Sequence, residues 1–299
     1  MADLFVGAVL GGALLWTLLT IRNRLSGTTL IAPHTWGILS ATAVTACTVS
    51  RGDIPENSIA YLAAISTCLP TVALLGAKKP QNVAWQWIVA GLWIILSIPG
   101  FNAIIHGQGI VEIGSIWGSL LVVLIFLPVG NYWATRYRLS ALLFAFAQAV
   151  LFIECGILQI VQVQQATEAA ISVRLGTLSL AVALVAMLLA RSAPHRHAIR
   201  TTVPLARAWY EFSELYGILW SKRVGDRVAQ LSATSEPHAA LHPDQWISHP
   251  AAASETGEMP TEMEGTLRNL LLRFVSSEWI DRVSSDAGST AARTGERPN

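Results

Sequence analysis

Two ionisable side chains, Glu154 and Arg174, lie inside long apolar runs of this sequence. A charge in hydrocarbon is costly, so such residues usually face a partner or a functional site. If the polar stretch centred near residue 166 is a tight turn, Arg174 is level with Gln159, and Glu154 lies about five residues deeper, roughly 7 Å of helix rise. The pair can then neutralise itself as a structural tie. The alternatives are a substrate, ion or proton site, and a polar contact with another subunit.

Three glutamines of the first of these runs form a second polar feature. At 100° per residue, Gln148, Gln159 and Gln162 share one helix face with Cys155, whereas Glu154 lies off that face. Hydrogen bonds between helices explain such a face without any ligand. The alternative is that the glutamines line a cavity and form the mouth of a site.

A third candidate site lies near the C-terminus, where residues 203–231 repeat apolar side chains at steps of three and four. This spacing predicts an amphipathic helix. Its apolar face is aromatic and must be covered by the cytosolic ends of other helices, by the headgroup layer or by another protein. The mixed charge of the opposite face favours a protein surface over lipid. The docking face consists of Trp209, Phe212, Tyr216 and Trp220.

No catalytic motif accompanies these residues. The sequence has no His-Glu-x-x-His, no Gly-x-Ser-x-Gly and no phosphate-binding glycine loop between a strand and a helix. The three cysteines, Cys47, Cys68 and Cys155, are widely separated in apolar runs, which is typical of packing residues. We therefore expect no catalytic residue, no metal and no cofactor, and a protein that is not an enzyme.

The composition explains why charges inside apolar runs stand out. The 299 residues are 53% hydrophobic and 13% charged, with a mean hydropathy of +0.48, whereas soluble domains are about 25% charged. Charged residues are sparse up to Ala190 and frequent in the remaining tail. This pattern predicts a membrane block followed by a polar segment. The net charge of +1 argues against a nucleic-acid partner.

Seven apolar segments, each of about the length that crosses a bilayer, precede the tail. The predicted fold class is therefore all-α: a polytopic integral membrane protein with seven transmembrane helices and a short helical cytosolic C-terminal tail. Pro70 predicts a kink in the third segment, and Pro99-Gly100 is expected to end the fourth. The segments cover residues 4–21, 30–49, 58–77, 83–98 and 113–133, and two more lie within 139–190.

The polar connections predict an orientation. The first, third and fifth connections carry six Lys or Arg residues, whereas the even connections and the N-terminus are mostly acidic. By the positive-inside rule, the odd connections and the C-terminus are cytoplasmic and the N-terminus is outside. We expect a multi-pass protein of the cell membrane.

Two small-residue pairs, Gly7-x-x-x-Gly11 and Gly114-x-x-x-Gly118, allow close helix approach. Packing within the bundle is the favoured interpretation, and a homodimer seam is the alternative.

The tail divides by composition. A basic run and the aromatic helix occupy residues 191–231, a flexible linker 232–260, short cytosolic helices 261–284 and a disordered end 285–299; the membrane bundle is 1–190. The leading functional hypothesis is a non-enzymatic membrane accessory, scaffold or assembly subunit that presents this tail to a partner or self-associates through it. The alternative is a small-molecule permease or membrane sensor that uses Glu154 and Arg174.

Overall fold

The computed structural model describes residues 2–49, 56–107, 111, 113–155, 168–192, 204–232, 239–241, 246–248 and 261–294. They form two compact units. Unit 1 comprises Met1–Leu25, Leu30–Gly130 and Leu139–Ser192, and unit 2 comprises Ser26–Thr29, Asn131–Arg138 and Ala193–Asn299. The helices are α1 (Ala2–Ile21), α2 (Ile31–Val49), α3 (Glu56–Ser66), α4 (Leu69–Leu75), α5 (Asn82–Ile105), α6 (Ser115–Tyr132), α7 (Arg138–Glu154), α8 (Glu168–Ser192), α9 (Pro204–Ser232), α10 (Thr261–Leu271) and α11 (Ser277–Thr294).

The fold is helical, and five helical stretches are long and apolar enough to cross a bilayer. They are Leu4–Leu25, Ser58–Leu75, Lys79–Ile105, Ser115–Tyr132 and Leu175–Ser192. Helix α2 is not among them, and α7 is apolar but shorter. An integral membrane protein is therefore supported by the structure, and the full set of seven spans is not established by helix length and hydropathy.

Two features of the tail differ from the sequence-based expectation. Within the segment predicted as a linker, strand β1 (Ala239–Leu241) pairs antiparallel with strand β2 (Trp246–Ser248). Helix α11 continues to Thr294, past residue 284, where the short cytosolic helices were expected to end. Residues 232–260 show no apolar periodicity that would have indicated the two strands.

Close packing of α1 on α2 explains the first small-residue pair. A Cβ atom on Gly7 would lie 2.9 Å from the Thr48 methyl group, and one on Gly11 would lie 2.8 Å from Thr45 Cβ. Both threonine hydroxyls donate to carbonyls of their own helix, those of Ala41 and Val44, so no polar atom is stranded at this contact. Gly7 and Gly11 therefore allow the close contact between α1 and α2 inside unit 1. By contrast, a Cβ on Gly118 would meet no described atom within 4 Å.

The third predicted span is interrupted, as Pro70 predicts. Helix α3 ends at Ser66 and α4 begins at Leu69. Pro70 has no N–H to donate to the Ser66 carbonyl four residues earlier. The Ser40 hydroxyl of α2 donates to that carbonyl instead, at 2.5 Å. A side chain from a neighbouring helix thus replaces the missing backbone donor.

The prediction that Pro99-Gly100 ends the fourth segment is wrong, because α5 continues through Pro99 to Ile105. The Tyr61 hydroxyl of α3 donates to the Leu96 carbonyl at 2.7 Å, within the turn that the proline disturbs. Its ring lies against Gly100, where an added Cβ would be 2.7 Å away. If the helix ended at Pro99 in hydrocarbon, several backbone groups would lose their hydrogen bonds, whereas a helix that continues through the proline loses only one.

The α1–α2 contact generates a prediction. Gly11→Ala should destabilise unit 1 by about 1–3 kcal/mol, because the new methyl group overlaps Thr45 and forces the helices apart. The measurement is thermal unfolding of the purified full-length protein in detergent, with the particle size recorded in parallel.

Gly12→Ala is the matched control, since nothing lies within 4 Å of a Cβ at that position. Equal melting temperatures for the two variants would contradict the packing interpretation. Loss of a dimer in Gly11→Ala alone would instead favour the homodimer seam.

Candidate functional site

The C-terminal tail folds around two short segments from between the helices of unit 1. We call the described residues of unit 2 the C-terminal module; it contains α9, α10 and α11 together with Ser26–Thr29 and Asn131–Arg138. The first segment belongs to the first polar connection, and the second consists of the last two residues of α6, Asn131 and Tyr132, which we count with the fifth polar connection, and of that connection itself. The module is therefore built from three parts of the chain that are distant in sequence.

The aromatic docking face of α9 is buried inside this module. Trp209, Phe212 and Tyr216 are fully buried, and Trp220 is 8% exposed. Phe274, which follows α10, packs edge-on against three of them, with ring centroids 5.2 Å from Phe212, 5.5 Å from Tyr216 and 4.9 Å from Trp220. Such edge-to-face pairs are the favoured aromatic geometry. The face is covered by the chain's own C-terminal helices.

Residues after α10 pair with the first connection like a short strand. Thr29 N–H donates to the Phe274 carbonyl at 3.0 Å, and Ser276 N–H donates to the Gly27 carbonyl at 2.7 Å. Thr28 and Val275 form the antiparallel bridge between these bonds. Gly27 has a positive φ of 82°, a conformation that favours glycine. Backbone pairing thus joins the first connection to the tail.

The Tyr216 hydroxyl joins the same three parts. It donates to the Phe274 carbonyl at 3.1 Å, accepts from Thr29 N–H at 3.2 Å and lies 2.9 Å from the Thr29 hydroxyl. Burial raises the pKa of Tyr216, and the hydrogen bonds from Thr29 oppose this rise only in part. The phenol therefore stays neutral and remains a donor at physiological pH.

Helix α9 bends at Gly217, where the sequence had predicted one continuous helix. Gly217 has φ 75° and ψ −174°, and a Cβ there would lie 2.6 Å from the Asn131 carbonyl oxygen. Asn131 donates to the Tyr216 carbonyl at 3.1 Å and accepts from Leu219 N–H at 3.0 Å. The Tyr132 hydroxyl donates to the Leu215 carbonyl at 2.9 Å. The backbone groups released by the bend are satisfied by the fifth connection.

A largely buried ion pair also holds the fifth connection to α9. Arg136 donates through both terminal nitrogens to the two carboxylate oxygens of Glu211, at 3.3 and 3.0 Å. Its backbone N–H donates to Glu214 at 2.7 Å, and its guanidinium donates to the Tyr137 hydroxyl at 2.7 Å. The side chains of Arg136 and Glu211 are only 9% and 12% exposed. Two-point geometry of this kind fixes orientation as well as distance.

The sequence did not indicate that Asn131, Thr29 and Arg136 make the hydrogen bonds that join the parts of the module. In the sequence, Arg136 stands out only as a basic residue of a connection, and Glu211 and Glu214 only as charged residues on the polar face of the predicted helix. Their spacing of three residues, on one side of α9, was the available signal for a shared partner. Nothing around Asn131 or Thr29 in the sequence indicates their partners.

The predicted intramembrane site is described only in part. Gln159 and Gln162 lie outside the described residues, as do the side chains of Glu154, which ends α7, and Arg174 in α8. Gln148 is described and buried, and its amide nitrogen donates to the Thr67 carbonyl at 2.8 Å and lies 3.2 Å from the Thr67 hydroxyl. This is a hydrogen bond between helices, one of the two roles considered for the glutamine face.

The described part of the chain places no group of three or more His, Cys, Asp or Glu residues where they could hold a metal ion. The contacts described for the C-terminal module join its three parts. No protein-family model, no curated protein and no solved structure matches this chain. The class of protein therefore follows from the fold alone: a helical membrane protein with a folded C-terminal module.

The ion pair generates a prediction about module stability. Glu211→Gln should destabilise the closed module by about 3 kcal/mol, because it leaves Arg136 buried with a weakened partner. A change of this size raises the open fraction by more than about a hundredfold. The measurement is the rate of limited proteolysis within the tail, in membranes that carry the full-length protein.

Asp281→Asn provides the matched control, because Asp281 and Arg268 form an ion pair with side chains 61% and 42% exposed. Exposed pairs contribute at most about 1 kcal/mol, so its cleavage rate should stay near that of the wild type. Equal cleavage of Glu211→Gln and Asp281→Asn would show that the Arg136 ion pair does not hold the module closed.

Proposed function

We propose that this chain is a non-enzymatic accessory, scaffold or assembly subunit of the cell membrane, which presents its C-terminal module to a protein partner in the cytoplasm. The observation that carries this proposal is the construction of the module from three separate parts of the chain. A tail that only tethered a short motif would not need the buried hydrogen bonds of Tyr216 and the buried ion pair of Arg136. The buried contacts serve to present a surface of fixed shape.

A pre-formed surface suits a subunit that must hold a partner. Binding to a folded module avoids the free-energy cost of ordering side chains and loops at the moment of association. Because the aromatic face is buried within the module, the proposed partner surface is the exposed polar side. Exposed charged residues there include Arg223, Asp226 and Arg227 of α9 and Glu278 and Arg282 of α11.

The composition of the module supports seven spans through a parity argument. The first connection, the fifth connection and the tail all belong to unit 2, and we infer from this that they lie on one side of the membrane. An even number of crossings must then separate the first connection from the fifth, and the fifth from the tail. The five long apolar helices alone place three crossings in the first interval and one in the second. If α2 and α7 also cross, the first interval has four crossings and the second has two, so both numbers are even.

Packing explains why α2 is less apolar than a typical span. It contacts α1, α3, α4 and α8, so protein rather than lipid surrounds much of it. Hydroxyl side chains along α2 donate to carbonyls of their own helix and need no further partner. Its 19 residues extend about 28 Å, close to the hydrocarbon thickness of roughly 30 Å.

The proposed orientation places the C-terminal module in the cytoplasm and the N-terminus outside. The connections that enter the module carry Arg136 and Arg138, and Arg22 and Arg24 precede Ser26 directly. Positive charge of this kind is retained on the cytoplasmic side during insertion. The same assignment puts His106, in the fourth connection, outside.

Membrane topology can be tested with single cysteines in a variant that lacks Cys47, Cys68 and Cys155. A membrane-impermeant maleimide added to intact cells should label His106→Cys and should spare Lys79→Cys and Arg138→Cys until the membrane is opened. Seven crossings place these three positions on the stated sides. With only the five long helices crossing and the N-terminus outside, the pattern would reverse at all three positions, which would overturn the proposed topology.

The alternative function is a small-molecule permease or sensor, and the specific observation that favours it is the interruption between α3 and α4. Discontinuous helices near the middle of a membrane protein are typical of transporter binding sites. In this alternative, Glu154 and Arg174 contribute to the polar site. It differs from the leading proposal in predicting a solute response that these two side chains control.

The functional experiment is the native size of the complex after extraction in a mild detergent, with identification of co-purifying proteins. The proposal expects a stoichiometric partner that is retained by Glu154→Gln combined with Arg174→Gln, and lost by Glu211→Gln at equal abundance. A lone monomer or homodimer would remove the main support for the scaffold proposal. Loss of a solute flux or ligand response in the Glu154/Arg174 double variant, with normal insertion, would establish the alternative instead.

A further inference from the structure

An unpaired polar atom lies at the interruption between α3 and α4. The Gln148 side chain is 1% exposed, and its nitrogen is fully used by Thr67. Its amide oxygen has no hydrogen-bond partner among the described residues. A buried acceptor left without a donor costs about 1–3 kcal/mol. This oxygen therefore indicates a missing donor on the α7 side of the interruption.

A second pair of unpaired polar atoms lies on α5. The Ser97 hydroxyl, in a fully buried residue, and the Trp93 indole N–H have no partner in the part of the chain that the structure describes. They are four residues apart and hence on one face of the helix. One is a donor, and the other can donate or accept.

The helix register brings these two residues to the interruption. Gly100 of α5 packs against Tyr61 and Leu62, and Gly76, just after α4, packs against Trp85 of α5. The helices are therefore antiparallel. Counting along them from these two contacts places Ser97 opposite Ala64.

The same register places Trp93 opposite Cys68, the residue at the interruption. Gln148 reaches the same turn from α7, because its amide nitrogen donates to the carbonyl of Thr67, the residue before Cys68. Unpaired groups from α5 and α7 thus flank the same part of α3 and α4.

The surroundings determine the charge of a suitable ligand. No charged residue occurs in residues 58–75, in α5 or in residues 139–153 of α7. The nearest charged residue along these helices, Glu154, lies six residues beyond Gln148, about 9 Å of helix rise. An ion at this position would therefore lack an adjacent counter-charge in a region of low dielectric, which is unfavourable. The available groups are an acceptor on Gln148, a donor on Trp93 and a hydroxyl on Ser97. They match a neutral molecule that both donates and accepts hydrogen bonds.

We propose that the interruption between α3 and α4 holds a binding site for a small neutral hydrogen-bonding molecule, either a resident water or a small polar solute such as urea. Gln148 accepts a hydrogen bond from this molecule, and Ser97 and Trp93 bind its other side. The site involves no residue of the C-terminal module, so it stands independently of the scaffold function.

Hydroxyl-radical footprinting of the full-length protein in lipid nanodiscs tests the site. Radicals generated from a bound water should oxidise Tyr61 and Cys68 although both are buried, with labelling normalised to the exposed Trp133. Gln148→Leu should lower this oxidation by about fivefold, the factor expected for loss of one hydrogen bond to the ligand. Added urea that suppresses the wild-type labelling would identify a solute site, and no suppression would identify a resident water.

Gln86→Leu is the matched control, because Gln86 also joins two helices but has both ends paired, to Trp36 and Asn82. It should leave the labelling of Tyr61 and Cys68 unchanged. If Gln148→Leu does not insert, Ser97→Ala removes the other side of the site with a minimal change in volume and should lower the same labelling. Wild-type Tyr61 and Cys68 that stay unlabelled, or labelling that persists in the Gln148 and Ser97 variants, would overturn the proposal.

Discussion

The structure depends on one constraint: every backbone group released where a helix is disturbed needs a partner from elsewhere in the chain. In hydrocarbon, no water can take that role, and an unsatisfied group costs several kcal/mol. At the interruption before Pro70, Ser40 donates to the Ser66 carbonyl. Along α5, Tyr61 donates to Leu96 in the turn that contains Pro99. Long-range contacts are thus placed where local hydrogen bonding fails.

The same constraint acts in the C-terminal module. The bend at Gly217 releases backbone groups, and the fifth connection satisfies them through Asn131 and Tyr132. The bend needs a residue with a positive φ and no Cβ, and the partner needs both a donor and an acceptor, which an asparagine side chain provides. Module assembly is therefore specific, because an apolar face alone would have packed against any hydrophobic surface.

Local physics explains which features the sequence predicted. Apolar length and 3.6-residue periodicity depend on neighbouring residues, so they predicted an all-helical chain with several helices long enough to span a membrane. The effect of a proline is only partly local: its own N–H donor is lost, but the Tyr61 hydroxyl of another helix donates to the Leu96 carbonyl in the turn that contains Pro99. The partners of Thr29, Asn131 and Glu211 are set by tertiary packing and carry no local signal.

The division of polar groups between the two units supports different roles for them. In the module, the hydrogen bonds of Arg136, Tyr216 and Asn131 described above lie within unit 2, and they join the tail to two connections. Among the described residues of the module, the buried atoms without a hydrogen-bond partner are the Nε donors of Arg136 and Arg207, whereas in unit 1 complementary donors and acceptors remain unpaired beside a helix interruption that is otherwise well supported. Unpaired groups of this kind cost stability, and a structure retains them most readily where a bound molecule completes their hydrogen bonds. This is why we propose that the C-terminal module presents a partner surface and that the helical bundle binds a ligand.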